Sequence, residues 1–153
     1  MPLTNPVELK FPPKHQGHDS DALLSHDLIV KAARITHDSF TGNGTIQLFN
    51  VPQNTLILEL ILDIVGAWGG SQTFTLGDGS DTDRFMDNTI AGPNTVGFKS
   101  SKQDDSQPGA GGHVYTADDT IDIVGTGTPT AGTADIYLRY VPFADDRRLL
   151  PGQ

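Results

Sequence analysis

Residues 55 to 65 read Thr55-Leu56-Ile57-Leu58-Glu59-Leu60-Ile61-Leu62-Asp63-Ile64-Val65. At period two, Leu56, Leu58, Leu60, Leu62 and Ile64 fall on one side, and Ile57, Glu59, Ile61, Asp63 and Val65 on the other. A helix would wrap apolar residues and both acids around every face, leaving none for water. The stretch therefore reads as a central β-strand with one wholly apolar side. Its other side admits two carboxylates, as suits a second surface or a subunit contact. Pro52-Gln53-Asn54 supplies the turn before it, and Gly66, Gly69 and Gly70 stop it.

Outward from this strand the chain reads as shorter strands and long loops. Residues 20 to 34 admit a helix capped by Ser20, or a strand from Leu28 to about Thr36; the strand is favoured because the rest of the chain is β. Asp38 to Gly44 is a loop tight enough for a hairpin to the strand Thr45 to Val51, so three sequential strands form a meander or the start of a Greek key. Trp68, flanked by small residues, is expected to cap the core rather than bind a ligand. Ser71 to Leu76, with Phe74 and Leu76 inward, is the next strand. Thr95 to Lys99, His113 to Thr116 and Thr120 to Val124 follow. Ala134 to Val141, with Ala134, Ile136, Leu138 and Tyr140 on one side, brings the count to about eight.

Composition agrees. Of the 19 acidic residues only Glu8 and Glu59 are glutamates, and there are 17 glycines and 10 prolines, a turn-forming vocabulary rather than a helical one. With glycine counted, about 47% of the chain is apolar, enough for a core. The fold expected is all-β: a jelly-roll-like two-sheet sandwich over residues 28–143, with an immunoglobulin-like sandwich as runner-up. Residues 1–27 read as an extended arm, or as a leader that packs nowhere, and 144–153 as a short tail. Val7-Glu8-Leu9-Lys10-Phe11 alternates and suits a sheet edge, its own or a neighbour's.

The net charge of −9 and the lack of a basic stripe argue against a nucleic-acid partner. No apolar run is long enough for a membrane span, and no basic segment leads into an apolar run at the N-terminus, so neither a membrane partner nor a signal peptide is expected. With no cysteine, disulfides and thiolate metal sites are excluded.

Catalytic chemistry is poorly represented. There is no G-x-S-x-G elbow, phosphate loop or dinucleotide fingerprint. Ser25-His26-Asp27 are adjacent and cannot form a relay alone. Glu59 and Asp63 lie about 13 Å apart on one strand face at roughly 3.3 Å per residue, too far for a glycosidase pair. The histidines, including His15, His18, His26, His37 and His113, show no ligand spacing. Asp78, Asp81 and Asp83, with Asp87 beyond, sit on a glycine-bearing loop that a hard cation such as calcium would suit, although the D-G-S-D-T-D cadence departs from the helix-loop-helix pattern. Ordinary solvated turn aspartates are the simpler reading, and neither cofactor nor enzymatic activity is expected.

The order of these stretches resembles that of small structural proteins of tailed-bacteriophage virions, in particular capsid decoration or cement proteins. It is carried by Ala33-Arg34-Ile35-Thr36, by Gly44 to Pro52 with Leu56 to Trp68, by Thr75-Leu76-Gly77-Asp78-Gly79-Ser80-Asp81-Thr82-Asp83-Arg84-Phe85, and by Ala134 to Val141. It spans about residues 33 to 141, and none of its motifs is catalytic. The resemblance implies a β-sandwich that oligomerises, commonly as a trimer, on the outer surface of the capsid and clasps neighbouring subunits of the major capsid protein. The residues offered for such contacts are Val7, Leu9 and Phe11 in the arm, Ile57 and Ile61 on the central strand, and Leu149 and Leu150 in the tail. For Ile57, Ile61 and Val65 the alternative is the ordinary second layer of a sandwich. Other functional readings are a minor head, neck or tail component, and a carbohydrate-binding jelly roll using Tyr137 as an aromatic platform.

Overall fold

In the computed structural model of the chain the described residues are 28–143; the arm and tail expected from the sequence lie outside them. Eight strands follow in order: β1 (Ile29–Thr36), β2 (Gly44–Val51), β3 (Thr55–Gly66), β4 (Thr73–Asp78), β5 (Gly97–Ser100), β6 (His113–Tyr115), β7 (Asp119–Thr126) and β8 (Thr133–Pro142). They form two antiparallel sheets. Sheet A has the order β1-β8-β3-β5, with β6 also paired to β3, and sheet B has the order β2-β7-β4. The division is five and three, so the described residues do not form the two equal sheets of a complete jelly roll. A short bridge, Leu76 to Met86, adds one further pairing on the open side of β4.

β3 is the central strand of sheet A, with β8 along one edge and β5 and β6 sharing the other. Its faces differ from the simple alternation. The register to β8 shifts between Ile57 and Glu59, where Leu58 is an extra residue. Such a bulge exchanges the two sides of the strand. Ile57 therefore points into the core with no exposed surface, as do Leu60, Leu62 and Ile64 beyond the bulge, while Leu56, Glu59, Ile61 and Asp63 are only half-buried. β2 shifts likewise between Gln47 and Phe49, which brings Phe49 and Val51 inward.

The expected β1–β2 hairpin does not form. β1 pairs with β8 and β2 with β7, so the loop between them crosses from sheet A to sheet B, and the next two connections cross as well. That loop carries Phe40 into the core, stacked on Phe74 at 5.5 Å. The layers meet through Leu60, Leu62, Ile64, Ile136 and Leu138 from sheet A and Phe74, Leu76, Ile121 and Ile123 from sheet B. Each such side chain contributes about 1.5–3 kcal/mol on burial. Trp68 caps this core at one end, edge-on to Phe74 at 4.7 Å. Gly132 passes over the indole with φ +135°, and a Cβ there would lie 2.4 Å from the ring, so only glycine fits.

Candidate functional site

Two features of this scaffold have the makings of a site. One is the aspartate loop that follows β4. Asp78 ends the strand with its side chain 1% exposed. Its Oδ1 accepts hydrogen bonds from the backbone N–H of Ser80 (3.0 Å) and Asp81 (2.8 Å) and from the Ser80 hydroxyl (2.8 Å). Its Oδ2 accepts from the Tyr115 hydroxyl at 2.8 Å and forms a close ion pair with Nε of Arg84. The loop doubles back over sheet B so tightly that a Cβ on Gly77 would lie 2.0 Å from the Asp81 carbonyl oxygen.

Burial pushes the Asp78 carboxyl upward, but hydrogen bonds from Tyr115, Ser80 and Arg84 outweigh it and hold the group below the ordinary carboxylate range. Tyr115 is raised, by burial first and then by Asp78. The guanidinium thus occupies the place that the cation reading gave to calcium. Asp81 lies 3.9 Å from Arg84, while Asp83 is raised above its ordinary value chiefly by its hydrogen bond to Asp81. Among the described residues no three His, Asp or Glu side chains converge as metal ligands. Asp78 is a structural latch, and Arg84, six residues on, is the part that the loop motif alone does not reveal.

A hollow of about 230 Å³ beside the latch is lined by Asp78, Ser80, His113, Tyr115 and Asp119, among others. His113 stands edge-on to Tyr115 at 4.7 Å, and burial followed by the Arg84 charge lowers its pKa. The Asp78 and Asp119 carboxylates that line the hollow with it both already accept hydrogen bonds from other groups.

The other feature is the outer face of sheet A, opposite the core. The strand register resolves it into rows. Leu28 continues β1 beside Val141, Val141 faces Leu56, and Leu56 faces Val114, giving an unbroken apolar row. Next comes Val30 beside Arg139, which faces Glu59. Arg139 Nη1 lies 2.7 Å from Glu59 Oε2, and the Ser100 hydroxyl donates to Oε1 at 2.6 Å. Burial pushes Glu59 upward, and the bonds from Ser100 and Arg139 more than reverse it. A third row holds Ala32, Tyr137, Ile61 and Ser100. A fourth holds Arg34, Asp135, Asp63 and Phe98, with Arg34 gripping Asp135 through two bonds of 2.6 and 2.7 Å. Phe98 is 74% exposed and Val30 57%, with Leu28, Val65, Val96 and Val114 also exposed. Apolar side chains are thus exposed on the edge strands of this face, on β1 at one side and on β5 and β6 at the other.

The residues singled out in the sequence distribute as follows. Ile61 lies half-buried on the outer face, while Ile57 does not: the Leu58 bulge turns it into the core, where it has nothing to offer a neighbour. Val7, Leu9, Phe11, Leu149 and Leu150 lie outside the described residues. Tyr137 is half-buried between Ala32 and Ile61. Glu59 and Asp63 form no joint site, since Glu59 is held by Arg139. Leu28, Val30, Phe98 and Val114 were missed as surface residues. Their signal is an apolar residue on both parities of strands flanking an already two-sided β3.

No protein-family model matches the chain, and no curated protein matches it significantly. Solved structures do share its fold. A chain of the Cyanophage Pam1 capsid asymmetric unit matches with a TM-score of 0.53 and 16% identity, over 93% of this chain and 99% of that one. A chain of the acid-stable capsid of Helicobacter pylori bacteriophage KHP30 matches with a TM-score of 0.55 and 14% identity, over 76% and 90% respectively. A chain in the capsid of Ralstonia phage GP4 gives 0.50 and 19%, over 76% and 86%. At these identities the likeness is one of fold.

Proposed function

We propose that this chain is a non-enzymatic structural protein of a phage virion that binds the outer surface of the assembled capsid and bridges neighbouring subunits of the major capsid protein. The observation that carries this reading is the fold match running almost end to end along a chain of a phage capsid asymmetric unit. The topology supports it: eight strands in two sheets with repeated crossings are read as a jelly-roll variant, with the Leu76–Met86 bridge as a further pairing on β4. So does the geometry of the ends. Leu28 and Phe143 lie on adjacent strands at the same end of sheet A, so the segments 1–27 and 144–153, proposed to reach across subunit boundaries of an oligomer, both join the sheet at that end.

The mechanism is mass action. A protein that binds the assembled shell and not its loosened state stabilises the shell by about 2.7 kcal/mol per site at a hundredfold excess over Kd, multiplied over many copies. The test is to mix the purified protein with expanded shells of the encoding virus stripped of decoration, then sediment and image the pellet. Saturable, symmetric occupancy that requires residues 1–27 is expected. A folded protein left wholly in the supernatant would overturn the reading and move the chain to the neck or tail.

A further inference from the structure

We infer that the outer face of sheet A is the surface on which copies of this chain meet. The inference deepens the oligomer proposed above by naming its contact. Four considerations point to a second copy as the occupant. The first is size. Three strands of eight or more residues, with the shorter β5 and β6 sharing a fourth position, lie about 4.8 Å apart, and some eight residues at about 3.3 Å each give a face of roughly 19 by 26 Å, on the order of 500 Å² per copy. Two such faces together reach about 1,000 Å², the area at which specific contacts begin.

The second is charge. The chain carries −9, so two copies repel over most of their surface. On this face the charges cancel locally: Arg34 is bound to Asp135 and Arg139 to Glu59, leaving Asp63 alone unmatched in the rows. It is the place where like-charged copies approach at least cost. A partner recruited for its basic charge would instead be met by several unpaired acids, and this face offers only Asp63.

The third is shape. The face is a sheet, and sheets pack on one another at about 10 Å with interleaved side chains. Phe98 stands exposed at the β5 edge and Val30 on β1 at the opposite edge. Exposed apolar side chains at both edges suit a surface repeated on a second copy.

The fourth is the lack of any other role for these residues. Phe98, Val30, Leu28 and Val114 take no part in the core, the latch or the ion pairs, yet they lie on the face that the Leu58 bulge helps to compose.

The experiment measures the mass of the full-length protein by light scattering, for wild type and for the V30D/F98D double variant. Both are measured free and after mixing with expanded shells. F98L serves as the conservative control, and far-ultraviolet dichroism with thermal melting shows that each variant is folded. Wild type and F98L are expected to run as a multiple of the 16.4 kDa chain, and the double variant as a single copy. If all run as multiples, the contact lies elsewhere and the inference is wrong. If all are single copies and the double variant alone fails to bind shells, the occupant is a shell subunit, which overturns the inference while leaving the capsid role standing. If all are single copies and all bind shells equally, the face is covered by the chain's own terminal segments or left bare, and the inference is equally lost. Multiples dissolved by the double variant, with no shell binding by any form, would uphold the contact while refuting the capsid role.

Discussion

Replacing Asp78 by Asn isolates the latch. The side chain keeps its shape, and its remaining oxygen still accepts from the Ser80 and Asp81 amides. The nitrogen that replaces Oδ2, however, is a donor facing two donors. Tyr115 can rotate its hydroxyl to accept, but the Arg84 guanidinium cannot. Removing one partner of a buried ion pair costs about 3–5 kcal/mol. The lower end applies here, because Arg84 is 17% exposed and keeps Asp81 at 3.9 Å. A loss of about 3 kcal/mol in a domain of this size lowers Tm by roughly 12 °C. Calorimetry at fixed protomer concentration, with urea melts at pH 7, is the assay. The deficit also has a pH signature. Asp78 titrates below its unfolded value, so its contribution is full above the unfolded pKa and disappears as pH falls through the folded one. The gap between wild type and variant should therefore narrow in acid. A loss under about 1 kcal/mol, or a gap that stays constant down to pH 2, would refute the latch.

Because the Leu58 bulge sends Ile57 inward and leaves Ile61 outside, I57A should cost about 3 kcal/mol and I61A about 1 kcal/mol or less by denaturant melting, and equal costs would contradict the bulge. Asp122 is buried with an unpartnered oxygen, and burial, joined by the charges of Asp119 and Asp78, raises its pKa. A raised carboxyl stabilises the fold in acid and loses that contribution as pH rises through its folded pKa. D122N should therefore melt higher than wild type at pH 7 and converge on it in acid; a variant that melts lower at pH 7 would show Asp122 to be well solvated.

What the sequence conveyed and what it withheld have physical causes. The strands announced themselves because their two-residue periodicity is local. Ala134, Ile136, Leu138 and Tyr140 all point inward on β8, as their alternation implied. The faces of β3 were misread because a bulge adds one residue without interrupting an all-apolar run, so Leu56 to Ile64 looked like one side. The β1–β2 hairpin was misread because loop length and composition do not say which sheet the next strand enters. That depends on Phe40 reaching Phe74 across the core. The aspartate loop read as ordinary solvated turn aspartates, with a cation site as the alternative, because Asp78, Asp81 and Asp83 are near in sequence among turn residues, whereas Asp78 is buried and the groups that neutralise and bind it are Arg84, with its side chain turned back, and Tyr115, 37 residues away. The outer face was hardest to see. Nothing in a sequence distinguishes an apolar side chain facing a second sheet from one facing a neighbour until the sheets are placed.

The capsid role is tested most directly by scanning calorimetry of expanded shells with increasing amounts of the protein. The expected result is a shell dissociation temperature that climbs with added protein and levels off when the sites are full. An unchanged dissociation temperature at saturating protein would contradict it, since a ligand bound only to the intact shell must raise that temperature.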